Sequence, residues 1–389
     1  MGPLSHLKIL DFTQMMTGPM ATMLLADYGA DVIKVESPDG DPFRKSGEAT
    51  LGGDGVFFLS LNRNKRGIIA DMKTPEGREA VLRLAREADV IVENFRPGLA
   101  QKLGIDYDQL KEENPGLIYC SITGFGPTGP HSHRPALDQI IQAISGVMQV
   151  TGTKDSGPLK TGFPFADLVT ALLATVGILT AVTARTQSGK GQRIDLSMMD
   201  ASVFSIVPRD IYYDVKKDSP PLTGNEHWDI VPNNTYRTSD GRDIMVISIN
   251  DKFWTILARA LGLDDMVTDE RFATKGARLK NRAALDRRVA DAFATKTMAE
   301  WDALLSAAGA IYGPVRTWNE VFSDPEVVDN MIHELDHPLA GKLRFVGNPI
   351  RMSDTPAEMR TASPVLGQHT EEILAATGWP TRKLQTAAE

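Results

Sequence analysis

The chain of 389 residues is 42% hydrophobic and 24% charged, an ordinary globular composition with length for two domains or one large one. Its 50 acidic and 42 basic residues give a net charge of −8, which argues against a general nucleic-acid binder but leaves local basic clusters free to hold an anion. The single cysteine, Cys120, excludes an intramolecular disulfide, and no basic-then-apolar leader opens the chain, so the expected setting is the cytoplasm without membrane contact.

Leu7–Phe12 reads as a strand, Gly18–Tyr28 as a helix closed by Gly29, and Asp31–Glu36 as a second strand. This opening with an acid at its end invites a dinucleotide site and a NAD-dependent dehydrogenase. The turn TQMMTGPMA, however, has one glycine where pyrophosphate binding needs G-x-G-x-x-G. Next, the basic run Asn62–Arg66 leads into a strand over Gly67–Met72. Thr74 and Pro75 then start a helix reaching Ala88, and Asp89–Phe95 is a strand followed by Arg96-Pro97-Gly98. Arg63, Lys65, Arg66, Lys73, Arg96 and Lys102 thus flank successive strand ends, where open α/β sheets bind ligands, and they form a candidate anion site.

Gly116–Thr123 is a further strand, with Cys120 as a small buried residue. His131 and His133 in the following loop lack a metal-site spacing. Asp138 begins a helix through Ser145. After a loop broken by Gly152, Gly157, Pro158, Gly162 and Pro164 comes the apolar helix Leu168–Ala184, at the short limit for spanning a membrane and, with its threonines and Gly177, better suited to a core. Asp167 stands at the junction. It reads either as the helix N-cap or as a carboxylate held at a buried helix start where a substrate can approach, and the two roles are compatible. Strand Arg193–Ser197 and a helix from Asp200 complete about six strands alternating with helices, the pattern of a doubly wound parallel sheet.

The pattern changes near Pro208. Lys216–Pro221 is linker-like, a strand pair turns at Ser239-Asp240-Gly241, and Phe253–Leu261, Asn281–Phe293 and Met298–Ala308 read as helices. The expected division is a large domain over 1–208, a small α+β domain over 222–320, and a tail over 324–389 that returns to the first. That tail holds a strand at KLRFVG and a helix over Thr370–Thr377. His333 to His337 matches H-E-x-x-H, but Pro338 biases His337 away from helical geometry, so no zinc site and no other metal site is expected.

Together these segments resemble one family, the class III CoA-transferases of the CaiB/BaiF type. The similarity lies in LDFTQMMTGPMATMLLADYGADVIKVE, LNRNKRGIIADMKTPEGR, VENFRPGLAQKLGIDY, NPGLIYCSITGFGPTGP, FADLVTALLATVGILTA, SGKGQRIDLSMMDA, IYGPVRTWNEVFSDP and LGQHTEEIL, in the family's order over nearly the whole chain. The resemblance implies an α/β fold: a Rossmann-like large domain with a smaller inserted α+β domain, in an interlocked homodimer. It implies that Asp167 is the catalytic nucleophile. It also implies that Lys73, Asn94, Phe95, Arg96 and Lys102 surround coenzyme A, a substrate rather than a resident cofactor, and that Gln14, Met15, Met16 and Thr17 lie near the thioester. Asp138 falls in a further segment of this site. Where formyl-CoA transferase has a histidine and a glutamine near the acyl group, this chain has Gln14 and Met16. That enzyme's poly-glycine loop is absent after Pro220, which implies a larger, less polar acyl group.

The implied activity moves CoA from an acyl-CoA to a carboxylic acid acceptor through covalent aspartyl intermediates. The same superfamily holds 2-methylacyl-CoA racemases, which use a histidine just before the aspartate corresponding to Asp138. Here that residue is Leu137, which cannot exchange a proton.

Overall fold

Alternation along the first strand, β1 (Lys8–Asp11), sets the layering of the fold: Ile9 is buried in one apolar core and Leu10 in another. The computed structural model describes residues 2–47, 49–207 and 209–378. The other strands of this sheet are β2 (Asp31–Glu36), β3 (Lys65–Ile69), β4 (Val90–Glu93), β5 (Ile118–Thr123) and β6 (Arg193–Ser197). They pair in the order β6-β5-β4-β1-β2-β3, and every pairing is parallel. Runs such as VIVE and IYCSIT are buried along nearly their full length, as strands covered on both faces must be.

Helix α1 (Thr17–Asp27) and the long helix α4 (Phe165–Ser188) supply Ala21, Leu25, Ala171, Ala174 and Ile178 to the core on one face. Helix α2 (Pro75–Glu87) packs Ala80, Val81 and Leu84 on the other, together with Ile373 and Leu374 near the end of the described chain. Between α2 and α4 in sequence lies a short helix, α3 (Asp138–Ile144). Cys120 lies wholly within the α1/α4 core, where burial pushes its thiol up to about 12, so it is a packing residue.

Two elements depart from the sequence reading for identifiable reasons. The strand expected from Gly67 begins at Lys65, because the ammonium of Lys65 finds the carboxylate of Asp11 inside the fold. The helix expected over Leu168–Ala184 runs from Phe165 to Ser188. It buries one face in the core and leaves Leu172 and Val176 exposed on the other. His333 and His337 lie on the strand Ile332–His337, which pairs antiparallel with Gly341–Val346, so no helical H-E-x-x-H face forms.

By its contacts the chain divides into two compact units. One takes Met1–Val147, Lys160–Lys216 and Val328–Glu389, and the other Met148–Leu159 and Lys217–Val327. The second unit has a three-stranded antiparallel sheet of Asn233–Arg237, Asp243–Ile247 and Tyr312–Pro314. Its core centres on Trp254, Phe293 and Trp301, with Tyr236 stacked on Phe293 at 5.4 Å.

Candidate active site

Numbered along the chain, the sheet order is 3-2-1-4-5-6, which reverses between β1 and β4. The crevice at such a switch point, past the carboxyl ends of the strands, is where open α/β sheets hold ligands. Two loops meet there, and one residue from each joins them. Gln14 N–H donates to Asn94 Oδ1 at 2.9 Å, and Asn94 Nδ2 donates back to the Gln14 carbonyl at 2.9 Å. Phe95 follows Asn94 and packs its ring 6.3 Å from that of Phe12.

Asp167 sits in the first turn of α4, three residues past Pro164 at the N-cap position. It is therefore not the cap. That work is done from another element: Asp138 Oδ1 accepts the amide N–H of Ala166 at 2.7 Å and that of Asp167 at 3.2 Å. Asp138 is buried at the start of α3, and its other oxygen accepts from Gln142 Nε2 at 2.6 Å. Gln142 in turn accepts the Thr161 amide at 2.9 Å, which ties the glycine-rich loop to the same cluster.

Relieved of capping, the Asp167 carboxylate is half-buried and accepts the hydroxyl of Thr17, at the start of α1. Burial pushes its pKa up. The Thr17 hydroxyl opposes the rise, the nearby Asp138 charge adds to it, and the result is about 6. Thr17, Asp138 and Asp167, expected to share a site, are thus brought together.

The basic cluster separates into two groups. Arg63 forms a two-point pair with Asp27 at 3.0 and 2.6 Å, Lys65 pairs with Asp11 at 2.8 Å, and Arg66 pairs with Asp31 and Glu372 at 2.7 and 3.0 Å. These three are committed to the fold, correcting the expectation that all six line an anion site. Lys73, Arg96 and Lys102 are exposed, with no carboxylate partner among the described residues. Arg78 of α2 donates to the Lys102 carbonyl at 3.1 Å, placing the turn of Lys73 and the helix Leu99–Leu103 at one end of the sheet. A cleft of about 280 Å³ opens beside Arg96, lined also by Glu93, Phe95, Tyr107, Tyr119 and Arg193. Asp167 does not line it, so the cleft and that carboxylate are separate features.

Beneath the loop of Gln14 lies a charged cluster that the sequence reading missed. Asp11, Lys34, Asp41 and Lys65 are all buried, with Lys34 and Asp41 paired at 3.0 Å. Burial pushes the Asp11 carboxyl up, but Lys65 and Lys34 outweigh it and hold the group down at about 2. Burial lowers Lys65 to about 8 against the attraction of Asp11. Alternation within DVIKVE signals that Lys34 faces inward, but nothing local names its partners. The spacing of Asp138 and Gln142, one helical turn apart, is the signal that could have exposed their pairing.

Comparison with known proteins gives the family. Residues 4–370 match CoA-transferase family III. The chain is 39% identical over 389 residues to a succinyl-CoA:mesaconate CoA-transferase of Haloarcula hispanica, covering 97% of each chain. It is 36% identical over 376 residues to the succinyl-CoA:glutarate CoA-transferase of Mus musculus, covering 96% of this chain and 86% of that one. A crystal structure of a CaiB/BaiF family protein from Brucella suis superposes with a TM-score of 0.88 at 39% identity, over 97% of this chain and 99% of that one. The chain belongs to CoA-transferase family III, enzymes that transfer CoA between acyl-CoAs and carboxylic acids.

Proposed function

We propose that Asp167 is the nucleophile of this transferase and that the substrates are succinyl-CoA and a short dicarboxylic acid. The observation that carries the reading is the division of labour between two carboxylates. Asp138 satisfies the amides at the start of α4, and Asp167 is left on a single hydroxyl with its pKa raised to about 6. Such a group is mostly ionised near neutral pH yet more basic than an ordinary aspartate, and so a better nucleophile.

Attack by Asp167 on the thioester carbonyl forms a mixed anhydride and releases CoA thiolate. The thiolate attacks the aspartyl carbonyl, expelling the donor carboxylate and leaving an aspartyl-CoA thioester. The acceptor carboxylate attacks that thioester, and the returning thiolate cleaves the second anhydride to give the new acyl-CoA and free Asp167. Lys73, Arg96 and Lys102 supply cations for the CoA phosphates, and the tied loops of Gln14 and Asn94 form the floor of the crevice. Both intermediates hydrolyse in water, so the crevice must close over them.

The choice of substrates rests on the relatives, whose names pair succinyl-CoA with mesaconate and with glutarate. Succinyl is larger than formyl, but its free carboxylate departs from the less polar acyl group expected from the sequence. The assembly in this reading is an interlocked homodimer in the cytoplasm. It draws support from apolar side chains that α4 and the helices Met198–Phe204 and Arg209–Lys216 leave exposed, among them Val176, Phe204, Ile211 and Val215.

The deciding experiment incubates wild-type enzyme with succinyl-CoA, adds hydroxylamine, and maps the adduct by mass spectrometry. A hydroxamate on the peptide containing Asp167 is the expected result. A label on Asp138, or full transfer activity in Asp167→Asn, overturns the assignment.

A further inference from the structure

We propose that Lys34 and Asp41, a buried ion pair beneath the crevice, are positioning residues for acyl transfer that act through the backbone of Met15. The proposal deepens the reading of Asp167 as nucleophile and rests on it.

Met15 has φ of 65°, the left-handed region, in a residue that is not glycine. A side chain there costs about 1 kcal/mol or more, so the surroundings must impose the conformation. The Met15 amide donates to both carboxylate oxygens of Asp41, at 3.2 Å each. Asp41 is itself fixed on every side. Lys34 Nζ lies 3.0 Å away with neither side chain exposed, the Phe43 amide donates at 2.9 Å, and the Asp41 amide donates to Glu36 at 2.8 Å.

The second hydrogen bond of Lys34 reaches the same loop. Its Nζ donates to the Thr13 carbonyl at 2.7 Å. The pair therefore grips the chain on both sides of Gln14, whose own amide and carbonyl are held by Asn94. Two residues past Met15, the Thr17 hydroxyl meets Asp167. The direction in which Thr17 presents that hydroxyl thus depends on the backbone turn at Met15, and that turn depends on the buried pair.

A buried ion pair is weak evidence of stability, since apolar residues of similar volume often serve as well. What an apolar pair cannot do is hold at fixed points one carbonyl and one amide, those of Thr13 and Met15 on either side of Gln14. The geometry points to placement of the loop as the task of Lys34 and Asp41.

The test is a double-mutant cycle on the full-length enzyme, with Asp41→Asn, Met15→Gly and the double variant assayed with succinyl-CoA and glutarate. Glycine adopts positive φ without strain, so it removes the need for the grip. Asp41→Asn is expected to lower kcat by about 10-fold or more with KM for succinyl-CoA little changed. In the Met15→Gly background the same change is expected to cost far less. Equal losses in both backgrounds would mean that Asp41 serves stability alone and would overturn the proposal.

Should Asp41→Asn fail to fold, Met15→Val and Met15→Gly decide the matter with the pair intact. Both remove the thioether, but valine resists positive φ, so its kcat is expected to fall about 10-fold below that of glycine. Equal values sink the idea. Amide exchange across residues 13–17 separates this proposal from the chemistry. Faster exchange there in Asp41→Asn supports the grip even if wild-type Asp167 takes no label, and unchanged exchange overturns it.

Discussion

Asp138 Oδ1 accepts the amide of Asp167 at 3.2 Å, so the residue proposed to attack the thioester is held by its backbone to a second carboxylate. The two side chains serve opposite ends. One neutralises the positive end of a helix, and the other, in the mechanism proposed above, attacks the thioester.

Removing the charge of Asp138 tests that coupling. In Asp138→Asn the amide oxygen still accepts the two helix amides, but the repulsion that helps raise Asp167 is gone. The acid limb of the kcat/KM profile is expected to move to lower pH. A profile that stays in place or moves upward would show that Asp138 does not act on Asp167 electrostatically.

Asp167→Asn is expected to abolish transfer and to stabilise the fold near neutrality. The folded pKa of about 6 lies above the ordinary 3.8, so the native chain binds this proton more tightly than the unfolded chain. The contribution is fully present below about pH 4 and is lost as pH rises through about 6. Above that, the ionised group costs up to about 2 kcal/mol after solvent screening. Thermal unfolding should therefore give a higher Tm for the variant near pH 7 and converging values near pH 4. A lower Tm at neutral pH would contradict the assigned strain.

Alanine at Lys73, Arg96 or Lys102 is expected to raise KM for the acyl-CoA several-fold with kcat nearly unchanged. The effect should shrink as salt rises, because these side chains are exposed and act through screened charge. A fall in kcat at constant KM would remove them from phosphate binding.

The oligomer is checked by sedimentation at nanomolar concentration. Threaded subunits cannot part without unfolding, so only dimer is expected. Dilution to monomer would refute the threading and leave the chemistry of Asp167 untouched.

The sheet was legible because its strands are short apolar runs between helices with clear start signals. Asp31–Glu36 and Arg193–Ser197 begin and end where the residues indicate, and Thr74 caps α2 as its sequence implies. Asp167 was legible as a position but not as a state. Whether Asp167 caps its own helix depends on Asp138, 29 residues away in sequence, and no local pattern reports that contact. The pairing of Lys34 with Asp41 stayed hidden for the same reason, and Lys65 read as part of an anion site because its partner Asp11 lies 54 residues away in sequence.

The early start of β3 at Lys65 has a consequence for how the sheet assembles. Lys65 lies opposite Val32 in the register of β2 and β3 and reaches Asp11 on β1. A slip of a single residue would turn its side chain to the opposite face and take from buried Asp11 its paired ammonium, leaving only Lys34, which is itself paired with Asp41. Stranding one member of such a pair costs about 3–5 kcal/mol, far more than the small differences between neighbouring apolar registers. The ammonium of Lys65 is in effect a proofreading mark, readable only when three strands have come together in the right alignment.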